Sequence, residues 1–224
     1  MDDLVSYLKT VDTPTLSNAI ELLDVRGRSE NFAPYWIRCL YPELGPMVGY
    51  AVTLQMETVT QMEPYDMGQT IAFYEALDAI PKPAVIVMQE IGGFSEFAGH
   101  SGEVMSTVTQ NFGAIGLVTD CCVRDFNEVR ALGYHYFARG TVASHSYGRI
   151  ARVGGAVQLG GMVIRHGDLL HGDLNGLVEV PLTRREELPQ MVDRVRSSES
   201  ALMNEVRAGG FTLDRLREIL TAKN

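Results

Sequence analysis

The chain has 224 residues, of which 46% are hydrophobic, so it is long and apolar enough to bury a sizeable core without disulfide bonds. Its 19 basic and 28 acidic side chains give a formal net charge of −9, and the basic residues form no cluster. A field of this sign repels phosphate backbones and anionic lipid headgroups. We therefore expect neither nucleic acid nor a membrane as a partner.

The sequence also indicates a cellular compartment. Residues 1–30 carry acids and helix formers rather than the basic and apolar regions of a secretory signal, and no stretch approaches the ~18 uninterrupted apolar residues of a membrane span. The three cysteines, Cys39, Cys121 and Cys122, are odd in number and two are adjacent, which is a poor basis for a disulfide framework. A soluble cytoplasmic protein is expected.

The first third of the chain predicts helices followed by a strand. Residues 1–30 contain two helical pieces, the second with Thr13 as its N-cap and Gly27 as its end. GYAVTLQMETV (49–59) is a strand candidate, and MGQTIAFYEAL (67–77) is typical of a helix. No low-complexity linker follows, which favours a single domain over residues 1–224.

The middle of the chain predicts a parallel α/β unit. AVIVMQE (84–90) and AIGLVTD (114–120) are short, continuously apolar and β-branched, as strands buried on both faces are. A helix between them is expected to be capped by Ser101 and ended by Gly113. Its predicted core face consists of apolar residues at helical spacing: Val104, Met105, Val108 and Phe112.

The pattern then changes from parallel to antiparallel. A second helix is expected from Asp125 to Gly133, and the strand in GYHYFARG (133–140) completes a β-α-β-α-β order with right-handed crossovers. Residues 183–224 form charged amphipathic helices, a C-terminal arm whose last helix is capped by Thr212. Between these parts lie glycine-punctuated short strands typical of hairpins or a small barrel-like layer: AVQLG, GMVIR, DLLHGD and LVEVP.

Two loops at the ends of the buried strands predict a ligand site, because open parallel sheets bind ligands beyond the carboxyl ends of their strands. Arg124, in the loop DCCVRD (120–125), offers a fork that matches a carboxylate. A small carboxylate held there would lie beside Asp120 and Asp125, either of which suits a hard divalent cation. The other loop, GGFSEFAGHSGE (92–103), leads into a helix whose free N-terminal amides attract anions: Gly102, Glu103, Val104 and Met105.

Each of these residues also has a purely structural interpretation. Asp125 followed by Glu128 resembles a capping box, in which the aspartate satisfies the first amides of its own helix. Asp120 fits a turn, and Arg124 fits a surface ion pair. The spacing alone leaves both interpretations open.

Two further patterns suggest chemistry less strongly. Cys121 and Cys122 lie near a cation and a helix start, where a thiolate nucleophile would be favoured, but cysteine also fills strand ends as a small hydrophobe. HGDLLHGD brings together possible metal ligands, although Gly-Asp pairs are equally typical of hairpin turns: His166, Asp168, His171 and Asp173. The glycines lack the strand and helix context of a dinucleotide site.

Four segments carry a pattern that covers most of the chain in order: DTPTLSNAIELL, GEVMSTVTQNFGAIGLVTDCCVRD, GYHYFARG and VQLGGMVIRHGDLLHGDLNGLVEVP. Gly-Glu-x-x followed by Asp-x-x-x-Arg-Asp at this spacing resembles the RraA-like family, which includes class II pyruvate aldolases acting on 4-hydroxy-4-methyl-2-oxoglutarate and 4-carboxy-4-hydroxy-2-oxoadipate. The resemblance implies a swivelling β/β/α domain with parallel central strands, an antiparallel β layer and C-terminal helices. It also implies a homotrimer or a dimer of trimers.

The resemblance assigns roles residue by residue. Arg124 and the helix amides of Gly102, Glu103, Val104 and Met105 would hold the pyruvyl part of a small 2-oxo acid. Asp125 would contact Mg²⁺ or Mn²⁺, partly through waters. A glutamate from the C-terminal helix of a neighbouring subunit would complete the site, and the candidates for it are Glu199 and, second, Glu205.

These assignments predict a divalent-metal-dependent lyase that cleaves 4-hydroxy-2-oxo acids to pyruvate through an enolate, or decarboxylates oxaloacetate. The alternative is a non-catalytic, oligomeric protein-binding regulator of the ribonuclease-regulator type, against which the presence of both Arg124 and Asp125 argues. Two departures from the family pattern bear on substrate choice: Cys121 replaces the usual glycine, and His166 replaces the usual proline before Gly-Asp.

Overall fold

The computed structural model describes residues 3–58 and 67–222. Its α-helices are α1 (Asp3–Leu8), α2 (Thr13–Leu22), α3 (Met67–Ala79), α4 (Glu103–Asn111), α5 (Phe126–Ala131), α6 (Leu188–Arg207) and α7 (Leu213–Ala222). The strands are β1 (Arg38–Cys39), β2 (Met47–Glu57), β3 (Ala84–Glu90), β4 (Ala114–Thr119), β5 (Cys122–Val123), β6 (His135–Ala138), β7 (Gly140–Thr141), β8 (Arg149–Val153), β9 (Ala156–Leu159), β10 (Met162–Arg165), β11 (Leu169–Asp173) and β12 (Gly176–Val180). Short 3₁₀ turns cover Pro42–Leu44 and Leu182–Glu187.

The main sheet has the strand order β1-β6-β4-β3-β2-β11-β12, and β8 pairs with the far end of β2. Strands β2, β3, β4 and β6 are parallel, with α3, α4 and α5 in the crossovers between them. Successive residues of β3 pack into two different apolar clusters, Ile86 in one and Val87 in the other, as expected for a strand buried on both faces. The predicted α/β class and the parallel centre are confirmed.

The antiparallel strands form two separate groups. β9 and β10 make a hairpin outside the main sheet. β11 and β12 instead join that sheet, because β11 pairs antiparallel with β2 and places Leu169 opposite Tyr50. The sequence predicted hairpins or a small barrel-like layer here, and the structure shows two hairpins, one of which extends the main sheet.

Several element ends differ from the prediction. The N-cap of α2 is Asp12, whose Oδ1 accepts a hydrogen bond of 2.9 Å from the amide of Thr15, so Thr13 is already helical. That helix ends at Leu22, before Gly27. The strand predicted to reach Val59 ends at Glu57, and Val59 itself lies outside the described residues.

The buried face of helix α4 is more polar than predicted. Its fully buried side chains are Ser106 and Thr109. Of the predicted apolar residues, Met105 and Phe112 are partly buried against the core, whereas the Val104 side chain is 78% exposed. The cause lies in β6 and the residue before it, where two buried phenols require hydrogen-bond partners. Thr109 Oγ1 lies 3.1 Å from the hydroxyl of Tyr134, and Ser106 Oγ lies 2.9 Å from that of Tyr136.

The C-terminal arm is helical as predicted. α6 packs against α2, and its buried residues are Leu188, Val192 and Val195. Thr212 caps α7, because its Oγ1 accepts a hydrogen bond of 3.2 Å from the amide of Arg215. None of the described helices is both long and apolar enough to cross a bilayer. The assignment of residues 1–224 to one domain stays a prediction.

Candidate active site

The two loops that follow β3 and β4 meet at a cavity of about 390 Å³. Gly99 to Gly102 come from the first loop, and Arg124 and Asp125 come from the second. The remaining lining residues come mainly from β2, α3, β3, α4 and β8. The cavity therefore lies at the carboxyl ends of the parallel strands, where the sequence predicted a ligand site.

Asp125 does not cap its own helix. The residue has φ 56° and ψ 49°, the left-handed conformation, and its side chain makes no capping hydrogen bond to α5. Its Oδ2 instead accepts a hydrogen bond of 2.8 Å from the amide of Glu103, at the start of α4. The capping-box interpretation with Glu128 is therefore wrong, because the carboxylate serves a different helix.

Arg124 is held beside that carboxylate. Its amide donates a hydrogen bond of 2.9 Å to the carbonyl of Ser101, and its Nε donates one of 3.3 Å to Oδ1 of Asp125. The Arg124 side chain is 34% exposed. Since only Nε is engaged among the described contacts, the two terminal nitrogens remain available to a ligand carboxylate.

Gly102 lies where the two loops are in close contact. A Cβ built on Gly102 would lie 2.3 Å from Oδ2 of Asp125 and 3.2 Å from Cγ of Arg124. No side chain fits that space unless the carboxylate moves. The glycine thus allows the amide of Glu103 to reach Asp125, and it is a sequence-predicted site residue with a steric reason to be small.

Asp125 fits a hard divalent cation. Its carboxylate is 31% exposed at the cavity and keeps lone pairs beyond its two hydrogen bonds. Mg²⁺ keeps several waters and takes only one or two carboxylates from the protein, so a single aspartate with room for water suits it. Asp120 is less suitable, because burial raises its pKa and its Oδ1 already accepts the amide of Glu90 at 2.8 Å.

The proposed partner-subunit glutamates lie elsewhere in this chain. Glu199 Oε1 accepts a hydrogen bond of 3.2 Å from Nδ2 of Asn18, and Glu205 pairs with Arg215 on α7. Neither lines the cavity within the chain. Both remain predictions for a neighbouring subunit's site.

A buried polar network behind the cavity was missed by the sequence reasoning. Nε2 of His100 lies 2.9 Å from Oε2 of Glu90, and Nδ1 lies 2.9 Å from Oγ1 of Thr119. Glu90 also accepts hydrogen bonds from the amide and hydroxyl of Thr58 and, at 2.7 Å, from the amide of Gly92. The sequence did contain a signal for this network, because Glu90 is a charged residue at the end of a buried strand and His100 lies in the predicted ligand-binding loop.

This network orders the loop that carries the α4 N-terminus. Burial opposes ionisation of Glu90, but the hydrogen bonds from His100 and Thr58 outweigh it, so the pKa of Glu90 is lowered. Within the described ranges, one group of potential metal ligands has atoms within 4.8 Å of one another: Glu90, His100 and Cys121. The Glu90 and His100 side chains already pair with one another, so we interpret this group as a structural network and not as a metal site.

The weaker sequence candidates have structural roles. Burial raises the pKa of the Cys121 thiol, and it also raises that of Cys122, so neither favours a thiolate nucleophile. His171 is fully buried and lies 3.0 Å from the carbonyl of Val11, and Asp173 accepts the amide of Thr13 at 2.9 Å. These contacts tie β11 to the N-terminal helices.

Comparisons with known proteins place this geometry in context. A protein of Halalkalibacterium halodurans named "Putative 4-hydroxy-4-methyl-2-oxoglutarate aldolase" is 24% identical over 89% of this chain and 86% of its own length. The solved structure of RraAS2 from Streptomyces coelicolor, described as an unusual member of the RNase ES inhibitor RraA protein family, is 25% identical with a TM-score of 0.67, over 93% of this chain and 99% of that one.

A third relative supports the fold alone. An uncharacterized protein from Pseudomonas syringae pv. tomato is 23% identical with a TM-score of 0.71, over 97% of this chain and 98% of that one. The model of the RraA-like family, described as Aldolase/RraA, matches residues 13–179, which include both loops of the cavity. The chain therefore belongs to the RraA-like family.

Proposed function

We propose that the protein is a divalent-cation-dependent carbon–carbon lyase that releases pyruvate from 4-hydroxy-2-oxo acids, or from oxaloacetate, through an enolate. The observation that carries the proposal is that partly exposed Arg124 and Asp125 lie beside the start of α4 in one cavity. The named aldolase relative and the family support the same reaction class.

The substrate carboxylate is bound by the residues predicted from the sequence. The guanidinium of Arg124 supplies a bidentate fork, and the first amides of α4, from Gly102 to Met105, add donors and the positive end of the helix dipole. The amide of Glu103 is already used by Asp125, so the others are the ones open to substrate. This arrangement orients the adjacent keto group toward Asp125.

Bond cleavage then follows from that orientation. The 4-hydroxyl group loses its proton to a water in the cavity, the C3–C4 bond breaks, and its electron pair moves onto the pyruvyl unit as an enolate. A carbonyl product leaves, and protonation of the enolate at C3 gives pyruvate. Arg124 stays paired with the carboxylate throughout, so its contribution is positioning and charge stabilisation.

Asp125 would hold the cation, Mg²⁺ or Mn²⁺. Such an ion, when bound, supplies Lewis-acid stabilisation of the negative charge that develops on the keto oxygen. Glu199 from a neighbouring subunit would complete the site in a trimer or a dimer of trimers. A cytoplasmic location is part of the same proposal.

The test is pyruvate release from oxaloacetate with Mg²⁺ or Mn²⁺, with and without a chelator. Arg124→Ala should lower kcat/KM by about 100-fold or more, and Arg124→Lys should recover little because the fork is lost. Arg130→Ala is a matched control, since Arg130 is 53% exposed, pairs with Glu43 and lies outside the cavity lining. Equal rates for Arg124→Ala, Arg130→Ala and the metal alone would refute the proposal.

A second candidate function is a non-catalytic regulator that binds another protein. It is favoured by the similarity to RraAS2 over 93% of this chain. The same assay separates the two candidates, because a regulator would not accelerate pyruvate release above the rate of the free cation.

A further inference from the structure

We infer that the substrate carries a nonpolar group on the carbon beyond the bond that breaks, rather than a second carboxylate. This inference rests on the proposed function, and it names the substrate class of that same site. It follows from the division of the cavity into one charged end and one apolar wall.

The apolar wall is assembled from separate elements of the fold. α3 contributes two aromatic rings, those of Phe73 and Tyr74, whose centroids are 4.8 Å apart. β3 contributes Met88, which is fully buried. The side chains that form this wall come from β2, α3, β3, α4 and β8: Met56, Phe73, Tyr74, Met88, Val108 and Ile150. Because they converge from five elements, the wall is a property of the packed fold and not of one loop.

The charges of the lining are few. Among its described residues, Arg124 is the only permanent cation, and the proposed function already assigns it to the first carboxylate. Two histidines also line the cavity: the Nε2 of His100 lies 2.9 Å from Oε2 of Glu90, and the Nδ1 of His145 lies 2.8 Å from the carbonyl of Ser146. An imidazole is cationic only when protonated.

A second carboxylate packed against the apolar wall would lose water without gaining a cationic partner from the side chains of that wall, which is costly. A branched alkyl or aromatic group would instead gain contact with carbon and sulfur atoms. The cavity of about 390 Å³ lies within the usual size of sites for small organic ligands, so it has room for such a group beyond the pyruvyl unit. The geometry selects aldol adducts of pyruvate with nonpolar aldehydes or ketones.

The experiment compares aldol cleavage of matched adducts at about pH 8, where an ordinary imidazole carries little charge. The nonpolar substrates are the pyruvate adducts of benzaldehyde and isovaleraldehyde, and the dicarboxylate is 4-hydroxy-4-methyl-2-oxoglutarate. We expect kcat/KM to be about tenfold or more higher for a nonpolar adduct. Equal or higher kcat/KM for the dicarboxylate would overturn the inference.

Exchange of the pyruvate C3 protons with deuterated solvent separates this inference from the proposed function. Exchange reports enolate formation and does not involve the distal group. Exchange together with a dicarboxylate preference would overturn the substrate class alone. Absence of both exchange and cleavage would overturn the proposed function, and this inference with it.

A variant tests the wall directly. Val108→Lys places a cation in the lining, and the 39% exposure of Val108 lets the ammonium remain hydrated so that the helix can fold. The ratio of kcat/KM for the dicarboxylate over the nonpolar adduct should rise about tenfold. Thr107→Lys, one position earlier on an exposed face outside the lining, should leave that ratio unchanged. An equal ratio in both variants would contradict the assignment of the wall to the distal group.

Discussion

The amide of Glu103 donates a hydrogen bond of 2.8 Å to Oδ2 of Asp125. This contact joins the helix that follows β3 to the loop that follows β4, so one carboxylate both caps α4 and lies in the candidate site. In the sequence, capping of its own helix α5 and a site role were the alternatives for Asp125. The structure shows capping of α4 instead, and this capping is compatible with a site role because a carboxylate has two oxygens and several lone pairs.

Substitutions at Asp125 separate the two roles. Asp125→Asn keeps an oxygen that can accept the Glu103 amide, so the free energy of unfolding should change by only about 0.5 kcal/mol, while cation-dependent activity should fall steeply. Asp125→Ala should lose the same activity and about 1 kcal/mol of stability in addition. Urea unfolding and pyruvate release measure the two effects. Full activity of the asparagine variant would leave only the capping role.

Gly102→Ala should inactivate the protein without unfolding it. Gly102 has φ −143°, which any residue adopts, but the new Cβ would displace Oδ2 of Asp125, which lies 2.3 Å from its position. A loss in kcat/KM of about 100-fold is expected from such a displacement of a site group. Gly140→Ala is the control, because nothing lies within 4 Å of its Cβ position. Similar activity of both variants would show that the close approach is unimportant.

The placement of Arg124 and Asp125 could be predicted because the strands that position the two loops are recognisable in the sequence. β3 and β4 are continuous apolar runs, which only a sheet covered on both faces accommodates, and the carboxyl ends of parallel strands share one edge. The orientation of α4 could not be predicted in this way. Val104 and Val108 suggested a core face, but the core there needs hydroxyl partners for Tyr134 and Tyr136.

The Glu90–His100 network was hidden for a related reason. A polar residue at the end of a buried strand has no periodicity, and its partner lies ten positions later in an irregular loop. The pairing of β11 with β2 was equally inaccessible, because hairpin patterns specify the partner within the hairpin and not the strand beyond it.

The stability of the fold should fall in mild acid partly through His135. Burial lowers the pKa of His135 to about 4, with a smaller contribution from Lys9, and its Nδ1 has no hydrogen-bond partner in the described part of the chain. The folded state therefore favours neutral imidazole. The stabilisation is present above the ordinary histidine pKa of about 6.5 and is lost as pH falls from there toward 4.

Urea unfolding at about pH 7.5 and about pH 5 measures this dependence, and His135 should account for about 2 kcal/mol of the difference. His135→Phe should reduce the difference by that amount. Burial also lowers the pKa of His171, which therefore acts in the same direction. Part of the pH dependence of stability should for this reason persist in His135→Phe. An unchanged pH dependence in His135→Phe would show that His135 is not protonated differently on folding.

A role of Glu199 in a neighbouring subunit can be distinguished from its role in its own chain. Within the chain, Glu199 contacts Asn18 at 3.2 Å. If that contact is the whole role, Glu199→Ala and Asn18→Ala should have equal and small effects, since both residues are exposed. We expect Glu199→Ala to lower kcat by about tenfold or more, with Asn18→Ala near the parent value.

Subunit mixing completes this test. Arg124→Ala and Glu199→Ala proteins, each inactive or weakly active alone, should recover activity when mixed, because mixed oligomers contain interfaces with both parent residues. No recovery after demonstrated subunit exchange would argue against a shared site.

The position of β2 in the sheet has a consequence for biosynthesis. β2 can pair with β3 as soon as α3 and β3 have been synthesised. The other edge of its first half, where Tyr50 faces Leu169, stays unpaired until β11 has been synthesised, after α4, α5 and seven further strands. An unpaired strand edge is a template for association with other chains. The nascent protein therefore passes through a long interval in which β2 is exposed on one side, and its yield should depend on temperature and chaperone supply more than on the stability of the finished fold.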